Sequence, residues 1–101
     1  MNLVWTKRGV KRHQSAFDYI ADNFYLDYAI RFDQDARNAV LRLSDNPEMG
    51  REAFPEIERP EIRKILCDHY SYWIFYRLKK HVIEILSVRH CLMRINTPHQ
   101  L

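Results

Sequence analysis

No run of apolar residues in this 101-residue chain approaches the ~18 that a membrane-crossing helix requires. An integral helical membrane protein is therefore excluded. The opening stretch MNLVWTKRG carries no apolar segment of the kind that directs secretion, so a cytoplasmic protein is expected. There are only two cysteines, Cys67 and Cys91, and they form no CxxC pair. That usage predicts reduced thiols and no disulfide framework. The five histidines are scattered without metal-ligand spacing, which argues against a zinc site, and no cofactor is expected. Internal repeats and low-complexity segments are missing too. What remains is ordinary globular material, 47% hydrophobic and 29% charged, enough for a modest core. One domain over residues 1–101 is predicted, with 96–101 a loose tail.

The net charge of +3 is unevenly spread. Residues 1–61 hold 9 Lys/Arg against 11 Asp/Glu, whereas residues 62–101 hold 7 against 2. A basic C-terminal half against an acidic N-terminal half suits an anionic partner at the basic end. Lys7, Arg8, Lys11 and Arg12 form a separate basic cluster, read either as a solvated face or as a contact for an acidic partner.

The chain is organised around Ile62 to His90, three short apolar runs separated by polar breaks. Their period of two and their Ile, Val, Tyr, Phe and Trp content predict strands. The breaks are too short for crossover helices, so the strands should form an antiparallel meander. Ahead of them, Asn2 to Thr6 reads as a first strand, with Thr6 capping a helix over 7–23. Val10, Phe17, Ile20, Ala21 and Phe24 supply that helix with one apolar face. A second helix, capped by Asp27, runs to about Asp45 with Ala29, Phe32, Ala36, Ala39, Val40 and Leu43 inward. Asn46-Pro47 stops it, and Arg51 to Pro60 reads as a loop. The predicted fold is α+β, β-α-α-β-β-β, with a helical hairpin on one face of a small, mainly antiparallel sheet.

Alternation sends Leu66, Ile74, Tyr76, Leu86 and Val88 toward the helices. It sends Trp73, Phe75, Ile83 and Ile85 to the other face, rimmed by Arg63, Arg77 and Arg89. Two helices cover one face only. The surplus face is expected to be a docking surface for a protein partner, the competing reading being that the 51–60 loop or the tail covers it.

Four segments now carry a resemblance: NPEMGR (Asn46–Arg51), EIRKI (Glu61–Ile65), YWIFYRL (Tyr72–Leu78) and VIEILSVRH (Val82–His90). In this order and spacing the chain resembles the RelE/ParE superfamily of bacterial toxins. The resemblance implies a type II toxin neutralised by a cognate antitoxin protein that wraps it. RelE-like members cleave messenger RNA on the ribosome, which requires a general base and acid and cations for the phosphorane. Where such sequences typically place an arginine in the third strand, this chain has Trp73; where a second is expected, it has Cys91 and Leu92. A nuclease would have to use His90, Arg89 and Arg77, and His90 reads equally as a strand-end histidine bonded locally. ParE-like members resemble the chain in the N-P-x-x-G-R turn, the YxIFYR strand and the V-x-H-x-x-M ending at Val88, His90 and Met93. The ParE-like reading implies inhibition of DNA gyrase, and so of replication, by binding, with no catalytic residues. The alternatives are a RelE-like ribosome-dependent ribonuclease and an inactive antitoxin-binding module. Target or antitoxin contacts are expected at Arg63, Trp73, Phe75, Arg77, Ile83, Ile85, Arg89, His90, Met93 and Arg94.

Overall fold

The computed structural model describes residues 1–67 and 71–101. The chain runs β1 (Asn2–Trp5), α1 (Lys7–Asn23), α2 (Leu26–Asp45), β2 (Arg51–Glu52), β3 (Ile62–Cys67), β4 (Tyr72–Leu78) and β5 (Val82–His90), with 3-10 turns at Pro55–Ile57 and Pro98–Gln100. The five strands form one sheet in the order β1-β5-β4-β3-β2. β3, β4 and β5 are the expected antiparallel meander. β1 lies parallel to β5, pairing Asn2 with Val82 and Trp5 with Ile85. The segment read as a plain loop contributes the two-residue β2, which pairs with Lys64 and Arg63.

Both helices pack on one face. Thr6 caps α1 as expected, its Oγ1 accepting the Gly9 N–H at 2.9 Å. The same hydroxyl and the Thr6 N–H both donate to the Ile85 carbonyl, at 3.0 and 3.1 Å. A Cβ at Gly9 would stand 2.3 Å from that oxygen, so only glycine lets α1 start this close to β5. The approach also rotates the helix. Its buried line is Gly9, His13, Ala16 and Ile20, while Val10 and Phe24 face solvent. Of the predicted apolar face, Phe17, Ile20 and Ala21 pack on the core, while Val10 and Phe24 do not, because a helix resting this near the sheet buries Gly9, His13 and Ala16 in their stead. α2 buries every residue predicted for it. Asp27 lies in its first turn, but Tyr25 is the cap and makes no side-chain cap bond.

A bulge decides which strand residues face the helices. Phe75 pairs with Ser87 and Tyr76 with Ile85, so Leu86 is an extra residue on β5. It turns Ile83 and Ile85 onto the same face as Val88, against Ile65, Cys67, Ile74 and Tyr76 beneath the helices. Ile83 and Ile85, expected on the far face, are therefore core, and Leu86 crosses to the far side. Leu66, also expected under the helices, is exposed on the far face because β3 meets them through Ile65 and Cys67.

The far face is covered by the chain itself. Phe54 and Leu101 bury Ile62 and Phe75, helped by Ala53, Leu86 and Ile95. Phe54 stacks on Phe75 with ring centroids 6.2 Å apart. Burying each such side chain is worth ~1.5–3 kcal/mol, reason enough for the 51–60 segment and the tail to fold onto that face. The expectation that this face is left open for a partner is corrected here.

The Asn46–Arg51 turn is pinned to the sheet by two strand residues. Tyr76 is fully buried; its hydroxyl accepts from the Gly50 N–H at 2.9 Å and donates to the Pro47 carbonyl at 2.8 Å. Arg63 donates to the Gly50 carbonyl at 2.7 Å and the Glu48 carbonyl at 3.4 Å. Tyr76→Phe leaves both turn groups without a side-chain partner, and a loss of about 1–3 kcal/mol is expected in denaturant unfolding.

Between the helices, buried His13 donates from Nε2 to Asp33 at 2.8 Å, stacks on Phe32 and meets Trp5 edge-on. Arg37 also donates to Asp33. Burial acts to raise the Asp33 pKa, but the bonds from His13 and Arg37 outweigh it and hold the carboxyl below its ordinary 3.8. A depressed folded-state value contributes stability above 3.8 that is lost as pH falls through the lower folded value. Asp33→Asn should therefore flatten the acid limb of the stability curve below pH 3.8, measured by thermal unfolding against pH.

Candidate binding groove beside the first helix

β1 covers β5 only as far as Ile85. Beyond that point, among the described residues, β5 has no strand on this side, and α1 runs alongside instead. Between them opens a cavity of about 390 Å³, walled by Arg12, Ala16 and Tyr19 of α1, by Tyr72, and by Val88, Arg89, His90 and Met93. A second cavity of about 420 Å³ shares Tyr19, Tyr72 and His90 and continues to Ile20, Phe24, Tyr28 and Ser71. The two form one groove from the start of α1 to the hairpin corner. That corner is unusually apolar for an exposed turn: Tyr19, Phe24, Tyr25, Leu26 and Tyr28 are 44–69% exposed.

Two polar groups give the groove its chemistry. His90 sits edge-on to Tyr72, ring centroids 5.1 Å apart, and its Nδ1 accepts the Leu92 N–H at 3.1 Å. This is the local hydrogen bond read as the alternative for a strand-end histidine. Arg89 is only 9% exposed, and its Nε has no hydrogen-bond partner. Burial, and then Arg12 and Arg8 beside it, hold its guanidinium below the ordinary arginine range. Burial, followed by Tyr19, raises the pKa of the Tyr72 phenol.

The residues named from sequence are divided by the structure. Arg89, His90 and Met93 line the groove. Ile83 and Ile85 are fully buried under the helices and cannot form a surface. Arg63 is spent on the turn carbonyls, on the helix side. Phe75 is buried beneath Phe54. Arg94 is exposed in the tail. Trp73 and Arg77 stay half-buried on the far face, where Arg77 pairs with Glu84 at 3.4 Å. The three nuclease candidates do not converge: β4 separates Arg77 from Tyr72, the partner of His90, by five residues, roughly 16 Å of strand.

Sequence reasoning missed two things. Trp73 lies under two cations, Lys64 at 4.4 Å and Arg51 at 5.1 Å from its ring centroid; cross-strand pairing, invisible before the register is known, brings them there. Burial, then Arg51, lowers the Lys64 pKa, while burial raises that of neighbouring Cys91. A groove beside the helix hairpin was expected as the alternative docking place, but its aromatic lining at the hairpin corner was not read. Its signal is the run FYLDY at Phe24–Tyr28, apolar where a helix-helix turn is normally polar. Among the described residues no His/Cys/Asp/Glu group could hold a metal, and no helix is long and apolar enough to cross a membrane.

The family model for the ParE toxin of the type II toxin-antitoxin system parDE matches residues 3–95. The chain belongs to the ParE toxin family. No curated protein matches it significantly. Among solved structures, the chromosomal ParDE TA system from P. aeruginosa is similar over 89% of this chain and 95% of that one, with a TM-score of 0.74 and 22% identity. At that identity the likeness speaks for the fold.

Proposed function

We propose that this toxin acts by binding and not by chemistry, arresting replication by holding DNA gyrase on cut DNA, and that a cognate antitoxin silences it by laying an apolar segment along the α1–β5 groove. The observation that carries the antitoxin contact is the groove with its exposed aromatic corner; the opposite face is filled by Phe54, Ile95 and Leu101 of the chain itself. Aromatic side chains at a recessed surface are the commonest anchors of protein interfaces. Gyrase as the target rests on family membership. The separation of Arg77 from His90 and Arg89 supports action without catalysis.

The second reading, a RelE-like ribonuclease, is favoured by one observation. Lys64 and Arg51 over Trp73 return positive charge to a face from which an expected arginine is missing.

One experiment separates the two. Expressed without antitoxin, the toxin should stop DNA synthesis and induce the DNA-damage response while messages stay intact, and His90→Ala and Lys64→Ala should leave that arrest unchanged. Codon-specific message cleavage, reduced about 10²–10³-fold by Lys64→Ala, would establish the ribonuclease instead. No growth effect would leave an antitoxin-binding module. For the groove, Tyr19→Ala and Tyr28→Ala should each weaken binding of the antitoxin encoded beside this gene by about 1–4 kcal/mol in calorimetry. Trp73→Ala, on the far face, should not.

A further inference from the structure

Arg89 is the least conventional residue of the fold: an arginine only 9% exposed, whose buried Nε has no hydrogen-bond partner among the described residues. The charged groups beside it are Arg12 and Arg8, which repel it. Both of those donate to the Leu101 main-chain oxygen, Arg8 at 3.2 Å and Arg12 at 3.3 Å. Among the described residues no Asp or Glu side chain pairs with any of the three. Burying a cation without a counter-ion is strongly unfavourable, and Arg89 lines the groove's 390 Å³ cavity with Arg12.

We propose that this cavity is built to receive one carboxylate, the side chain of an Asp or Glu on the antitoxin segment, seated on Arg89 and Arg12 with an apolar residue on either side of it. The proposal rests on the reading that an antitoxin occupies the groove, and adds which chemistry that segment must carry. A guanidinium fork matches a carboxylate in geometry as well as charge. The walls argue for a peptide against a nucleic-acid backbone. Ala16, Tyr72, Val88 and Met93 enclose the cations in apolar surface, which accepts the side chains flanking an acid. A phosphodiester chain needs an open row of solvated cations. Such a row adjoins the cavity at Lys7, Arg8 and Lys11, and meets it at Arg12.

The test uses the full toxin and the antitoxin encoded beside it. Each Asp and Glu of the antitoxin is changed singly to its amide, and affinity is measured by calorimetry against parent and Arg89→Gln toxin. One antitoxin position should lose about thirtyfold or more, and that loss should vanish against Arg89→Gln. The toxin partner needs no alteration for the scan itself, so a folding failure of the variant cannot obscure it; Arg12→Gln, on a more exposed side chain, provides the second cycle. Free Arg89→Met toxin should also melt higher than the parent while binding antitoxin more weakly. A merely structural arginine would give a lower melting temperature. If every amide change costs less than threefold, the carboxylate site is wrong though the antitoxin reading stands. If Arg89→Gln instead weakens binding of a duplex DNA oligonucleotide and leaves antitoxin affinity unchanged, the site takes phosphate and the proposal falls. If the parent toxin binds no antitoxin, the reading and the proposal fall together.

Discussion

The carbonyl oxygen of Ile85 is where the helical layer is fastened to the sheet. It accepts from both the backbone and the hydroxyl of Thr6, and the missing side chain of Gly9 lets the helix axis come down beside it. At the same residue β1 ends, so β5 exchanges a strand neighbour for a helix neighbour. Strands sit ~4.8 Å apart and helices ~8–10 Å from what they pack on. The exchange therefore leaves a gap, and the groove is that gap. Moving α1 outward by the width of a methyl group would change the spacing between Ala16 and Val88, which wall the first cavity.

Much of this architecture could be read from residue order alone. The α2 face, the strand limits and the stop at Asn46-Pro47 follow from periodicity and backbone chemistry that act locally. What could not be read was set by contacts distant in sequence. The phase of α1 is dictated by Gly9 meeting Ile85, and a glycine has no hydropathy to announce it. One added residue, Leu86, reverses the facing of half a strand, and alternation counting has no means of seeing a bulge. The far face was read as open because Phe54 and Leu101 lie in segments without periodicity, yet these supply its cover. For the groove, Arg89, His90 and Met93 were named from sequence, but for a surface that turned out to be two different ones.

The charge asymmetry also takes on a different meaning in three dimensions. Along the chain, the basic cluster at Lys7–Arg12 belongs to the acidic half. In the fold it stands beside Arg89, so the two basic regions merge at the open edge of β5. The acidic residues of the helices are elsewhere, as with Asp33, which is tied to His13 and Arg37. Cations grouped at this edge without an Asp or Glu partner among the described residues leave a field at one end of the groove.

The parallel pairing of β1 with β5 carries a consequence for how the molecule is made. Asn2 leaves the ribosome well before its partner Val82 is made. α1 has the same difficulty, since Ile85 is its anchor. At ~5–20 residues per second that interval lasts about 4–16 s, and through it the first strand and helix have no β5 to dock on. The sheet closes, and the groove with it, only once β5 has been made. Until then the growing toxin has neither its β1–β5 edge nor its binding surface.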